Sequence, residues 1–158
     1  MVLNYSFIAT ARHQVKKYLH KPSKTKLAIK FLQIPQNRHG GTILYGRSKM
    51  VVREIQNMRL LSESPNIVNF YGLCFLEGHA LLCMELMNLS LRDLHEIVHN
   101  KKKVEFPEKF VGHVFIKIVD ALNFCKYKGV IHRDIKPSNI LVNYRYVVFI
   151  NIHVEGVI

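Results

Sequence analysis

The sequence predicts an α+β fold in which an antiparallel sheet comes first and helices follow, and three observations predict it. Two β-prone stretches, residues 14–20 and 26–34, flank the turn Lys21-Pro22-Ser23-Lys24. Two further apolar runs, 66–76 and 79–86, meet across Glu77-Gly78-His79 as a second hairpin. From Pro107 onward the apolar residues recur at helical spacing instead, with Phe110, Val114, Ile118, Leu122 and Cys125 on one face.

Taken in order, the second strand runs into a loop marked by Pro35, Asn37 and Gly40-Gly41, where Pro and Gly interrupt regular structure. A helix is expected from about Ser48 to Leu61, with Val51, Ile55 and Met58 on one face and Glu54 beside it. After the second hairpin, Ser90-Leu91-Arg92-Asp93 has the spacing of a capping box, in which a side-chain oxygen takes up an amide that the first helical turn leaves unpaired. Pro107 opens the long helix and Gly129 follows its end, the usual asymmetry of helix termini. The closing stretch 146–154 is apolar and β-prone; it reads equally as a last strand or as unrelated appended sequence.

Composition narrows the function. With 158 residues of which 49% are apolar, the chain can bury a core and does not resemble a disordered segment. No run reaches the length of a membrane span, and Met1-Val2-Leu3-Asn4-Tyr5 lacks a signal-peptide pattern, which leaves the cytoplasm, or the nucleus, as the expected compartment. Cys74, Cys83 and Cys125 are widely spaced in apolar runs, as suits buried thiols in a reducing compartment. The formal charge is +12, from 23 Lys and Arg against 11 Asp and Glu. These charges are dispersed, and Lys101-Lys102-Lys103 sits in a polar stretch without interleaved aromatics, so a solvated loop is preferred to nucleic-acid binding.

The chemistry is concentrated in His132-Arg133-Asp134-Ile135-Lys136-Pro137-Ser138-Asn139. Five specified positions at fixed spacing match the catalytic loop of protein kinases, and the chain resembles that family. Leu27-Ala28-Ile29-Lys30 is similar to the strand whose Lys grips nucleotide phosphates, and Glu54 falls where the family has the Glu that pairs with that Lys. Arg53–Met58, Ser64–Gly72, Cys83–Met87 and Ala121-Leu122-Asn123 together resemble the MAP kinase kinase branch, most strongly from Glu54 to Val142.

The resemblance implies a protein-kinase-like fold: a small lobe with an antiparallel sheet over about 1–86, the first helices of a large lobe over 87–150, and a divergent tail over 151–158. It implies ATP and magnesium as ligands and a MAP kinase or an upstream kinase as partner. It also implies roles for single residues. Asp134 would orient the attacking hydroxyl, Lys136 would neutralise the transferring phosphate, and Asn139 would hold the metal. Lys30, Glu54, Ala28, Val15, Met84, Glu85, Met87, Ser138 and Leu141 would line the nucleotide, with Met84 gatekeeper-like and Ala28 and Leu141 on either side of the adenine.

Three departures from the family pattern bear on activity. Ungapped alignment back from Lys30 puts Ile8, Thr10 and His13 where the family has three glycines, and a side chain there obstructs the approach of backbone N–H groups to phosphate. The loop between Lys30 and Glu54 is longer than usual. Alignment onward from Asn139 puts Ile152-His153-Val154 where the metal-binding Asp-Phe-Gly belongs. The expectation is a truncated, catalytically deficient kinase domain; the alternatives are a non-catalytic binding module of a MAP kinase pathway, or an incomplete product of a gene for an active kinase.

Overall fold

The computed structural model describes residues 6–7, 15–34, 42–143 and 148–150, and they fall into two compact units, 1–56 with 69–86 and 57–68 with 87–158. Ile8, Thr10, His13 and the stretch Ile152-His153-Val154 lie outside the described residues.

The first unit is built on a five-stranded antiparallel sheet in the order β1-β2-β3-β5-β4. β1 is Ser6–Phe7, β2 is Val15–His20, β3 is Thr25–Gln33, β4 is Phe70–Leu76 and β5 is His79–Glu85. The turn Lys21–Lys24 closes on the pair His20↔Thr25, with Lys24 left-handed at φ 56°. Ser23 ties it down, its Oγ 2.7 Å from His20 Nδ1 and 2.9 Å from Thr25 Oγ1. The second hairpin is tighter. Leu76 pairs with His79, and the two residues between them, Glu77 and Gly78, have φ of 48° and 75°. Two successive positive φ values match the right-handed twist of the strands, which is why a Gly is needed here.

Alternation along these strands divides the sheet into two faces. Tyr18, Ile29 and Leu81 form a buried cluster on one, with Leu27, Phe31, Cys74 and Cys83 packed against it. The other face carries Lys30, Leu32, Ala80, Leu82 and Met84, all buried. α1, Thr42–Leu61, begins six residues before the expected start and supplies Glu54 to this unit. Its first turn holds no acidic residue, so the usual start signal is missing from the sequence. β4 starts at Phe70 instead of residue 66: Ile67 and Val68 are buried but join the second unit.

That unit is mainly helical. Ser90 caps α2, Leu91–His95, in a reciprocal box: the Asp93 N–H donates to Ser90 Oγ at 3.1 Å and the Ser90 N–H to Asp93 Oδ2 at 3.2 Å. The chain then widens into a helical turn over Glu96–Lys101, where Lys102 N–H reaches back five residues to the Ile97 carbonyl at 3.1 Å. No pattern in the sequence announces this wider turn, since Leu94, Ile97 and Val98 fit an ordinary helix equally well.

α3, Glu108–Tyr127, follows Pro107. It buries Val114, Ala121 and Cys125, with Phe110, Ile118 and Leu122 half-buried beside them, the face expected from the periodicity. Its end is a Schellman motif. Val130 N–H donates to the Cys125 carbonyl at 2.8 Å and Gly129 N–H to that of Lys126 at 3.0 Å, with Gly129 at φ 71°. A small antiparallel sheet, β6 (Leu89–Ser90), β7 (Ile140–Val142) and β8 (Val148–Ile150), completes the unit. Ile150 also exchanges backbone hydrogen bonds with the 66–68 segment, donating to Asn66 and accepting from Val68. Of the apolar stretch 146–154, residues 148–150 are therefore strand.

Candidate active site

In the first unit the antiparallel register decides which of the predicted residues meet. Val15 of β2 pairs with Lys30 of β3, and Ala28 of β3 pairs with Met84 of β5. Val15 and Ala28 are half-buried, and Met84 is buried. Lys30 Nζ forms an ion pair with Glu54 Oε1, and both side chains are nearly inaccessible, 2% and 8% exposed. Two long charged side chains are held in one geometry because the sheet face around Lys30 is apolar and offers the ammonium no better partner. An ammonium has three N–H donors; Glu54 engages one, and the others suit an anion such as phosphate.

Glu85, at the end of β5, is held at both its backbone and its side chain by Asn69. The Glu85 N–H donates to the Asn69 carbonyl at 2.9 Å, and Asn69 Nδ2 donates to Glu85 Oε2 at 2.8 Å. The Glu85 N–H is thereby withdrawn from any ligand, and Asn69 becomes a positioning residue that sequence reasoning missed. Its stretch, Ser64–Gly72, was recognisable as a family segment, but nothing in it marks Asn69 as the residue that fixes Glu85.

The second unit carries the loop after α3. Asn139 Nδ2 donates both to the Asp134 carbonyl, at 2.9 Å, and to Asp134 Oδ2, at 2.8 Å. Lys136 Nζ lies 2.8 Å from the same Oδ2. Asp134 N–H donates to the His132 carbonyl at 2.9 Å and lies 3.3 Å from His132 Nδ1. His132 is 3% exposed, so a buried ring fixes the backbone on which Asp134 sits. Arg133, between them, adopts φ 61°, a sparsely populated conformation for a residue with a side chain and one that turns the chain sharply enough to present Asp134. A short 3₁₀ turn over Pro137–Asn139 then brings Asn139 back onto Asp134, with the Asn139 N–H donated to the Lys136 carbonyl at 2.8 Å.

Asp134, Lys136 and Asn139 therefore converge. Ser138 is half-buried in the 3₁₀ turn; Leu141, in β7, pairs with Ser90 and Phe149; and Met87 is half-buried just before β6. The structure places these last three within the second unit without joining them to the Asp134 cluster.

The loop of the second unit thus brings together a carboxylate, a cation and an amide, and the first unit by itself holds a buried, ion-paired cation. A model of the protein kinase domain family matches residues 11–152, nine-tenths of the chain. This chain belongs to the protein kinase domain family. Among its relatives, MAP kinase kinase mkk-4 of Caenorhabditis elegans is 38% identical over 130 residues, covering 82% of this chain and 34% of the relative. Dual specificity mitogen-activated protein kinase kinase sek-1 of the same organism is 34% identical over 130 residues, covering 82% of this chain and 36% of the relative. The chain thus spans about a third of the length of the curated relatives it matches. Among the described residues no helix is long and apolar enough to cross a membrane.

The fit to ATP and magnesium is uneven. Both partners of Asn139 Nδ2 are acceptors, so the amide nitrogen must face Asp134, which leaves Oδ1 as a hard oxygen of the kind magnesium takes. The family's second metal ligand would fall at Ile152, which has no donor atom in its side chain. β8 ends at Ile150, two residues earlier, in keeping with that alignment. The Lys30 ammonium has the charge to meet a phosphate but lies buried against Glu54, and the metal half of the site does not fit in full.

Proposed function

We propose that this chain is a MAP-kinase-kinase-type kinase domain, with residues 1–86 as small lobe and 87–150 as the start of the large lobe, that is deficient in phosphoryl transfer. Its role is then to bind a MAP kinase or an upstream kinase in competition with active relatives, in the cytoplasm or nucleus. The observation that carries this is the contrast within one site. Asp134, Lys136 and Asn139 are held together by direct hydrogen bonds and an ion pair, yet the position of the other metal ligand holds isoleucine. A hydroxyl can be oriented, but charge building up on a transferring phosphate needs a metal that is held from both sides.

On this reading Lys30 meets a phosphate, and Val15, Ala28, Met84 and Leu141 provide apolar contact to the adenine. Glu85 contributes its carbonyl and Met87 its backbone N–H. Apolar contact and one or two hydrogen bonds support only modest affinity, because association itself costs at least about 4 kcal/mol. The test is thermal unfolding with ligands. Adenosine and ATP are expected to raise the melting temperature by similar small amounts, with little change on chelating magnesium. A large shift specific to ATP that disappears with a chelator would overturn the proposal. It would point to another carboxylate, such as Glu155, completing the metal site.

A further inference from the structure

A charge asymmetry marks one end of the sheet in the first unit. Residues 15–26 carry five lysines, Lys16, Lys17, Lys21, Lys24 and Lys26, and no acidic residue. They are spread along the sequence, but the pairing of β2 with β3 gathers them onto one hairpin. Leu19 stands opposite Lys26, so Lys17, two residues before Leu19, shares that face, while Lys21 and Lys24 bound the turn. Lys21, Pro22, Lys24 and Lys26 are exposed, and Leu19 is 38% exposed beside them.

Little opposes this charge. The unit has three acidic residues, Glu54, Glu77 and Glu85. Glu54 is paired with Lys30. Glu77 sits in the turn at the opposite end of β3, about 25 Å away along the strand and beyond the screening length of about 8–10 Å at physiological salt. Glu85 is nearer, pairing with Leu27, and its carboxylate already accepts from Asn69 at 2.8 Å. Lys16 is engaged as well, 5.0 Å over the ring of Phe31. Lys17, Lys21, Lys24 and Lys26 form no ion pair among the described residues. Lys24 also holds φ 56°, where Gly or Asn is the usual occupant, so the turn carries its charge at a conformational cost.

The chemistry of these side chains selects the partner. A lysine ammonium is a hydrated point charge and lacks the planar fork with which arginine grips a single carboxylate or phosphate. Lysines gathered in this way, with no arginine among residues 15–34, match a diffuse anionic surface better than a single anion. Exposed Leu19 and Pro22 lie among the cations, as suits contact with the boundary between headgroups and acyl chains. Nucleic acid would call for stacking aromatics, whereas Tyr18 is buried and Phe31 is half-buried beneath Lys16. We propose that the β2–β3 hairpin docks on anionic phospholipid bilayers, its lysines against the headgroups and Leu19 at the acyl boundary.

Co-sedimentation of the full chain with vesicles tests this independently of any kinase activity. The probes are phosphatidylcholine vesicles with and without phosphatidylserine. Lys21→Gln/Lys24→Asn/Lys26→Gln removes three charges at exposed positions, with Asn chosen for the left-handed φ. Lys101→Gln/Lys102→Gln/Lys103→Gln removes three exposed charges elsewhere. The parent is expected to bind the phosphatidylserine vesicles alone, and less as salt rises. The hairpin variant is expected to bind about 100-fold more weakly and Leu19→Thr roughly fivefold, while the 101–103 variant stays within about threefold of the parent. Binding without preference for phosphatidylserine would overturn the proposal. So would equal losses in the two triple variants, which would mark only the general attraction of a chain of charge +12. Hairpin-dependent binding of an oligothymidylate without hairpin-dependent vesicle binding would overturn it too, and would assign the site to nucleic acid.

Discussion

Replacing Glu54 with leucine leaves the Lys30 ammonium in an apolar setting without its counter-ion, and this is the sharpest structural consequence of the fold. The pair is buried on both sides, at 2% and 8% exposure, so water cannot take over the role of the missing carboxylate. Removing one member of such a pair costs about 3–5 kcal/mol, mostly the penalty of an uncompensated buried charge. Against a total stability of roughly 5–15 kcal/mol, that is a large fraction. For a chain of this size it lowers the melting temperature by roughly 6–20 °C, at about 2–4 °C per kcal/mol. Lys30→Met exposes the opposite charge to the same surroundings and should cost a similar amount. The double variant Lys30→Met/Glu54→Leu removes both charges and keeps the volume, so it should return to within about 1.5 kcal/mol of the parent. Urea unfolding followed by circular dichroism measures all four corners of the cycle, since the chain has no tryptophan for fluorescence. Single variants within about 1 kcal/mol of the parent would refute the reasoning, as would a double variant as unstable as the two single losses combined.

Two further outcomes follow from local chemistry. Burial first, and then the neighbouring Cys74, pushes the Cys83 thiol from its ordinary 9.0 up to about 11. At pH 8 the folded protein should therefore alkylate at Cys83 roughly 100-fold more slowly than the unfolded chain; equal rates by mass-spectrometric mapping would contradict this. Between those two values the unfolded chain loses this proton and the folded chain keeps it, so this thiol lowers stability as pH rises from 9.0 toward about 11. The outer side of α3 exposes Val111, Phe115, Ile116 and Val119 at 52%, 67%, 58% and 37%, a contiguous apolar stripe. The isolated chain should bind a hydrophobic dye and associate in solution, and Phe115→Lys with Ile116→Glu should reduce both; a monomeric parent that binds no dye would contradict this.

Much of this architecture was legible because it is encoded locally. Gly78 in the hairpin turn, the capping residues Ser90 and Asp93, and Gly129 at the end of α3 each occupy the conformation that their chemistry favours. The Asp134–Asn139 loop was legible for a different reason: its residue types at fixed spacing resemble a known catalytic loop. The features that escaped are those set by distant partners. Ile67 and Val68 look like the start of a strand, yet Val68 hydrogen-bonds to Ile150, more than eighty residues away. The grip of Asn69 on Glu85 and the burial of His132 beneath Asp134 depend on tertiary placement that no spacing reveals. The wide turn over Glu96–Lys101 escaped because its apolar residues satisfy an ordinary helical period.

The central claim, an ordered hydroxyl-orienting loop without the means to transfer phosphate, is tested most directly by one assay. The purified chain is incubated with labelled ATP, magnesium and an unphosphorylated MAP kinase, alongside an Asp134→Asn control. The account predicts no transfer above that control. Turnover by the parent chain that Asp134→Asn abolishes would contradict it.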